Sequence, residues 1–252
     1  MDRSFLFDAS VIAASRQFVC VRLATYEDEN ENRFLKNLLR TGSGELENSV
    51  FAIFAPDGKE KLVRSARGPR QVFRDASDMA VKMKSMAAKY TARDSGPAPL
   101  PTVANVPLSL AVAAADNLPL AVVVAKSEDE RKTLEAKLAT LAWQPEFQGR
   151  EIFAVAMKAD DLKAITGAKY ESGLLFVQPE PFGRTATILA QASANADWSE
   201  AIRKGLTSFT KTEKNQRTHV RDGRNAGVFY EPKTPVTDPM EIKARERTKK
   251  NP

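Results

Sequence analysis

The chain has 252 residues, 42% of them hydrophobic and 28% charged, a composition that folds and is long enough for one large domain or two of ordinary size. A single cysteine, Cys20, rules out an intrachain disulfide, and a single histidine, His219, leaves too few nitrogen and sulfur ligands for a zinc site; no metal or other cofactor is expected. The net charge of +6 belongs to the tail, because residues 203–252 hold thirteen Lys or Arg against six Asp or Glu while residues 1–202 hold 25 against 26.

No apolar run approaches the roughly 18 residues that cross a bilayer, and the longest, Leu118 to Ala125, has the length of a buried strand. Asp2 and Asp8 bracket too short an apolar segment for a secretory leader. The expectation is a cytoplasmic protein with no membrane span. A true start upstream of Met1 would change that to an exported or periplasmic one.

In chain order, Ala9 to Gln17 reads as a helix leading into a buried strand, Phe18 to Leu23, rich in β-branched and aromatic residues. Asn30 to Leu39 places Phe34, Leu35, Leu38 and Leu39 on one helix face, and Gly42 and Gly44 end it. Ser49 to Phe54 and Lys61 to Arg64 form a hairpin about Pro56-Asp57-Gly58, and a helix from Val72 to about Tyr90 closes the first block. The run of turn formers from Asp94 to Thr102, followed by Pro107, reads as a linker.

The second block opens with a short helix, Ser109 to Asp116, and the strand Leu120 to Ala125. Ser127 with Glu130 three residues on makes a capping box for a helix reaching Trp143. A strand from Ile152 to Met157, a short helix from Asp161 to Ile165, and a hairpin of Leu174 to Val177 with Thr185 to Ala190 follow, and Asp197 caps a last helix to Phe209. Beyond Lys211 the chain turns polar and charged and reads as a basic, mostly disordered tail.

The β-α-β-α-β-β-α order of the second block builds a mixed sheet with helices on both faces. The blocks also align, Phe18-Val-Cys-Val-Arg with Ile152-Phe-Ala-Val-Ala, and Val50-Phe-Ala-Ile-Phe-Ala-Pro with Leu174-Leu-Phe-Val-Gln-Pro, which suggests a tandem repeat whose first copy lacks its opening strand.

The stretch Phe5-Leu-Phe-Asp-Ala-Ser-Val-Ile through Phe18-Val-Cys-Val-Arg-Leu resembles the segment after the active site of bacterial thioredoxin-like proteins, and the resemblance covers residues 1 to about 90. It implies an α/β fold of two thioredoxin-like units, each a mixed central sheet flanked by helices, the first without its N-terminal strand. The implied domains are 1–92, a linker at 93–107, a second unit at 108–210 and the tail at 211–252. In such proteins a Cys-x-x-Cys precedes this stretch and a cis-proline precedes the third core strand. Here the dithiol is absent, and Glu47-Asn48-Ser49 and Glu171-Ser172-Gly173 stand where the proline would be.

The implied function is a redox-inactive module that binds an unidentified protein partner, with no catalytic residue. The alternative is a thiol-disulfide oxidoreductase whose Cys-x-x-Cys lies upstream of a truncated frame. Cys20, flanked by Val19 and Val21, reads as a buried core residue, and its functional alternative is a redox-sensitive thiol helped by Arg22. The acidic run from Glu27 reads as helix capping rather than a cation site. Trp143 and Trp198 are expected to pack at a domain surface. Arg217, Arg221 and Arg224 around His219, with Phe229-Tyr230, are candidates for contact with nucleic acid or an anionic surface, and Val228-Phe-Tyr for a strand at a sheet edge.

Overall fold

A computed structural model of the chain describes residues 3–21, 23, 25, 28–38, 50–91, 98–228, 234, 242, 243 and 246. The chain divides into two units, one made of Met1–Arg93 together with Tyr230–Pro252 and the other of Asp94–Phe229. The protein is mixed α/β.

The first unit is held by helices. A four-residue turn, α1 (Arg3–Leu6), leads to α2 (Ala9–Ser15), whose N-cap Asp8 accepts the Ser10 amide at 2.8 Å. Helix α3 (Glu29–Leu38) follows, capped by Asp28, which accepts the amides of Asn30 at 2.8 Å and Glu31 at 3.0 Å. A short 3₁₀ turn at Pro69–Gln71 precedes α4 (Ala76–Ala87), capped by Asp75. The core is small: Phe5, Val11 and Ala14 meet Ile53, Phe73, Met79, Ala80 and Met83.

Three expectations for this unit are corrected. Phe18 to Leu23 is not a strand; its described residues are irregular, with Val19 82% and Val21 71% exposed, because among the described residues no neighbouring strand takes up its hydrogen bonds. The hairpin is present only as an antiparallel ribbon with isolated bridges at Phe51–Ala66 and Phe54–Lys61, turned at Gly58, whose φ is 68°. The described residues of this unit therefore contain no central sheet, and the strand-level repeat has no counterpart in hydrogen bonding. The glycines Gly42 and Gly44 and the segment Glu47-Asn48-Ser49 lie outside the described residues. Near the other end of the chain, buried Thr234 donates its hydroxyl to the Thr25 carbonyl at 2.9 Å.

The second unit follows the expected order closely. Helix α5 (Val106–Asp116), capped by Asn105, starts earlier than expected and ends at Asn117 in a left-handed conformation. Strand β1 (Leu120–Val124) leads to α6 (Glu128–Ala142) and then to β2 (Ile152–Ala156). Where a short helix was expected there is a 3₁₀ turn, Ala159–Leu162, and a two-residue strand, β3 (Ile165–Thr166). Strands β4 (Gly173–Pro179) and β5 (Ala186–Ser193) form the hairpin, and Asp197 caps α7 (Trp198–Ser208).

The sheet order is β2-β1-β4-β5-β3, with β1 parallel to β2 in the register Leu120–Ile152 and antiparallel to β4 in the register Leu120–Val177. All five residues of β1 are buried, since alternate side chains enter different cores. Ala121 and Val123 meet Leu134, Leu138, Trp198 and Ile202 from α6 and α7, while Leu120, Val122 and Val124 meet Val106, Leu110 and Ala113 from α5. Trp198 is fully buried and donates its indole N–H to the Ser193 carbonyl at 2.9 Å, whereas Trp143 is half-buried at the end of α6 and donates to the Ala98 carbonyl.

The tail also differs from expectation. It carries a helix, α8 (Gln216–Asn225), capped by Asn215 and closed by a Schellman arrangement in which the Val228 amide donates to Gly223 O at 2.8 Å and the Gly227 amide to Arg224 O at 2.9 Å. Gly227, with φ at 69°, supplies the left-handed residue this closure requires. Val228 is irregular rather than strand, and Phe229-Tyr230 lies outside the described residues.

Candidate functional site

In an open sheet with crossover helices, ligands bind where the parallel strands end at their carboxyl termini. In the second unit that place is formed by the turns after β1 and β2 and by the segment entering β4. The Tyr170 hydroxyl lies within hydrogen-bond reach of the Ala125 carbonyl, at 2.8 Å, and of the Met157 carbonyl, and so ties the two strand ends together. The Asp161 carboxylate accepts the Met157 amide at 2.8 Å and the Lys158 amide at 3.2 Å.

The β1–α6 turn is Ala125-Lys126-Ser127, and Glu128-Asp129 open α6. Ser127 accepts the Glu130 amide at 3.2 Å, and the Glu130 carboxylate reaches back one residue further than expected, to the Lys126 amide at 2.7 Å. The Lys126 amide and then the Ser172 hydroxyl hold the Glu130 carboxyl below its ordinary value. Opposite, Gly173 begins β4 with a φ of 152°, and a Cβ there would stand 2.1 Å from the Ala192 carbonyl oxygen. The peptide bonds of Glu171-Ser172-Gly173 are trans. Chemically, this end of the sheet offers hydroxyls, carboxylates and amides already used to shape turns; the carboxylate beside Ser172, that of Glu130, also accepts the Lys126 amide. Among the described residues, no cluster of three or more His, Cys, Asp or Glu could hold a metal ion.

The second place of interest is α8, which two side-chain amides fasten through the segment preceding it. Gln178 both donates to the Thr210 carbonyl, at 2.9 Å, and accepts the Thr210 amide, at 3.0 Å; Asn117 does the same at Thr212, both at 2.9 Å. Two residues on, Lys214 donates to the Ala114 carbonyl at the end of α5, and the accompanying desolvation pushes its ammonium pKa down. Thr210, Thr212 and Lys214 alternate as in a strand, so three hooks hold one side of an extended segment.

Helix α8 then rests on the β4–β5 turn. The His219 ring stacks on Phe182 with centroids 4.7 Å apart at 12°, Gly223 leaves room for the same phenyl ring, and Arg184 donates to the Ala226 carbonyl at 3.0 Å. The turn itself is shaped by Glu180, which accepts the amides of Phe182 and Arg184 at 2.9 and 2.7 Å. At 100° per residue, His219 and Gly223 face Phe182 and Arg217, Arg221 and Arg224 point the other way. All three arginines are exposed.

Comparison with protein-family models, with curated proteins and with solved structures finds no match for this chain.

Of the residues singled out in the sequence, the structure brings together the three arginines on α8, and Cys20 belongs to the first unit. Cys20 is exposed, not buried, with its Sγ 4.0 Å from the Ser15 carbonyl. Desolvation moves its thiol upward in pKa, away from the thiolate a redox sensor uses. Arg22 lies outside the described residues, as does Glu27; the neighbouring Asp28 is the helix cap described above. One residue escaped the sequence reading. Glu151, just before β2, is 4% exposed, has no hydrogen-bond partner for either carboxylate oxygen, and is pushed up to about 8 by burial. Its only sequence signal is an acidic residue abutting the apolar run Ile152 to Met157.

Proposed function

We propose that the Asp94–Phe229 unit is a thioredoxin-like module that works by binding a protein partner and performs no dithiol chemistry of its own. The observation that carries this reading is the turn at the carboxyl end of β1, in a sheet whose four longer strands run β2-β1-β4-β5 with α6 as the parallel crossover and α7 closing the hairpin. Thioredoxin-like enzymes carry the dithiol on that turn. Here it holds Lys126-Ser127 leading into Glu128-Asp129 of α6, with no cysteine, and the Ser127 hydroxyl and the Lys126 amide are both engaged with Glu130 in capping the helix. Catalysis of disulfide exchange needs one thiolate to attack and a second thiol to resolve the mixed disulfide, and no pair of thiols exists in this chain.

A second reading, an oxidoreductase whose Cys-x-x-Cys lies upstream of Met1, is favoured by one observation: among the described residues no strand lies beside the apolar run Phe18 to Val21, and Val19 and Val21 stand in solvent. A single experiment separates the two. The protein is isolated from its native cell, its intact mass and N-terminal sequence are read, and its reduction of insulin disulfides by dithiothreitol is followed. The binding reading expects a chain starting at Met1, an insulin rate equal to the uncatalysed one, and no change on Cys20→Ser. A longer chain with a Cys-x-x-Cys before Phe5 and a catalysed rate overturns it in favour of the enzyme.

A further inference from the structure

The outward face of α8 is an electrostatic surface without a stated role, and we propose that it binds the phosphodiester backbone of a nucleic acid. Residues 211–226 carry five Lys or Arg against two acidic residues. The fold converts this excess into a row. Arg217, Arg221 and Arg224 fall within one narrow arc of the helix and, at 1.5 Å of rise per residue, span about 10 Å along it. Among the described residues the side chains of Arg217 and Arg224 make no ion pair, and Arg221 shares only the adjacent, exposed Asp222 at 3.1 Å, a contact that a phosphate can displace.

Three features select the occupant. All three cations are arginine, whose planar guanidinium binds phosphate oxygens in pairs. The face opposite the arginines is already spent on Phe182, so α8 has no apolar side left to enter a lipid surface. Among the described residues of α8 the exposed apolar side chain is Val220, at 46%, whereas a protein partner binds around an apolar, aromatic centre. A phosphate backbone needs no such centre, since its affinity comes from displaced counterions. The hooks at Asn117 and Gln178 hold the row in place before binding, which reduces the ordering cost of capture.

The test measures binding of the full chain to a fluorescent 20-nucleotide single strand between 50 and 200 mM salt, beside Arg217→Gln/Arg221→Gln/Arg224→Gln. Three phosphate contacts on a single strand predict a log–log slope of about −2, which weakens binding about 20-fold over that range. The triple variant, whose substitutions are all on exposed positions, is expected to keep its circular dichroism and lose both the binding and the slope. Undiminished binding by the triple variant overturns the assignment. So does poly-glutamate competing as well as the oligonucleotide per charge, or binding to phosphatidylserine vesicles without binding to the strand.

Discussion

Glu151 is a buried carboxyl without a hydrogen-bond partner, and it costs the second unit stability. A carboxyl of ordinary pKa 4.5 that titrates near 8 in the folded protein must take up a proton to fold at neutral pH, and the cost is about 3 kcal/mol at pH 7. The sign follows from the direction of the shift. Below pH 4.5 both states are protonated and the penalty vanishes; it grows as pH rises and is complete above 8. Glu151→Gln, which mimics the protonated form, is therefore expected to match the wild type in urea melts at pH 4.5 and to exceed it by about 3 kcal/mol or more at pH 8.5. Parallel pH profiles for the two proteins would show that the carboxyl is not held in a dry site. Cys20 teaches the converse. Its valine neighbours imply burial, but a buried strand requires a partner, and without one the same residues stand in solvent.

Among the elements, α7 shows how tightly the sheet and its covering helix fit. A glycine inside an exposed helix usually gains about 1 kcal/mol on replacement by alanine. At Gly205 the added Cβ would lie 2.2 Å from the ring of Phe176, which is fully buried on β4. Gly205→Ala is accordingly expected to destabilise the unit by about 1–3 kcal/mol, the range for overfilled cores, read as a lower urea midpoint. A raised midpoint would mean the α7–β4 contact is loose. The caps Ser127 and Asp197 are readable from residue type and spacing because a cap is a local hydrogen bond, whereas Asp75 caps a helix that the sequence places from Val72. Helix α8 was less readable. Its Asn215 cap and Gly227 stop are present, but its residues are polar and include Gly223, and the surface that makes the helix worthwhile, Phe182, lies over thirty positions earlier in the chain.

At the scale of the whole molecule, the two units differ in what they bury. Both cores of the second unit are built entirely from its own residues, on the two faces of one sheet. The fragment Asp94–Phe229, produced alone, is expected to unfold in one cooperative calorimetric transition and to retain the hydrogen-exchange protection of β1 and β4. A fragment that is molten, without protected amides in β1, would show that its fold depends on the rest of the chain. The first unit has a single small cluster and no sheet among its described residues.

The linear chain by itself determined the four longer strands of the second unit, its helices α5, α6 and α7 with the caps Ser127 and Asp197, the absence of a dithiol and the concentration of positive charge from residue 203 onward. Those properties are local or compositional, set by side-chain periodicity, by hydrogen bonds a few residues long, or by counting. Tertiary structure alone decided which strands pair, that Glu151 is sealed from water, that Phe18 to Val21 pairs with no strand among the described residues, and that three arginines of an apparently shapeless tail stand in a row. Each of those needs a surface contributed from elsewhere in the chain, and burial and pairing exist only once that surface is in place.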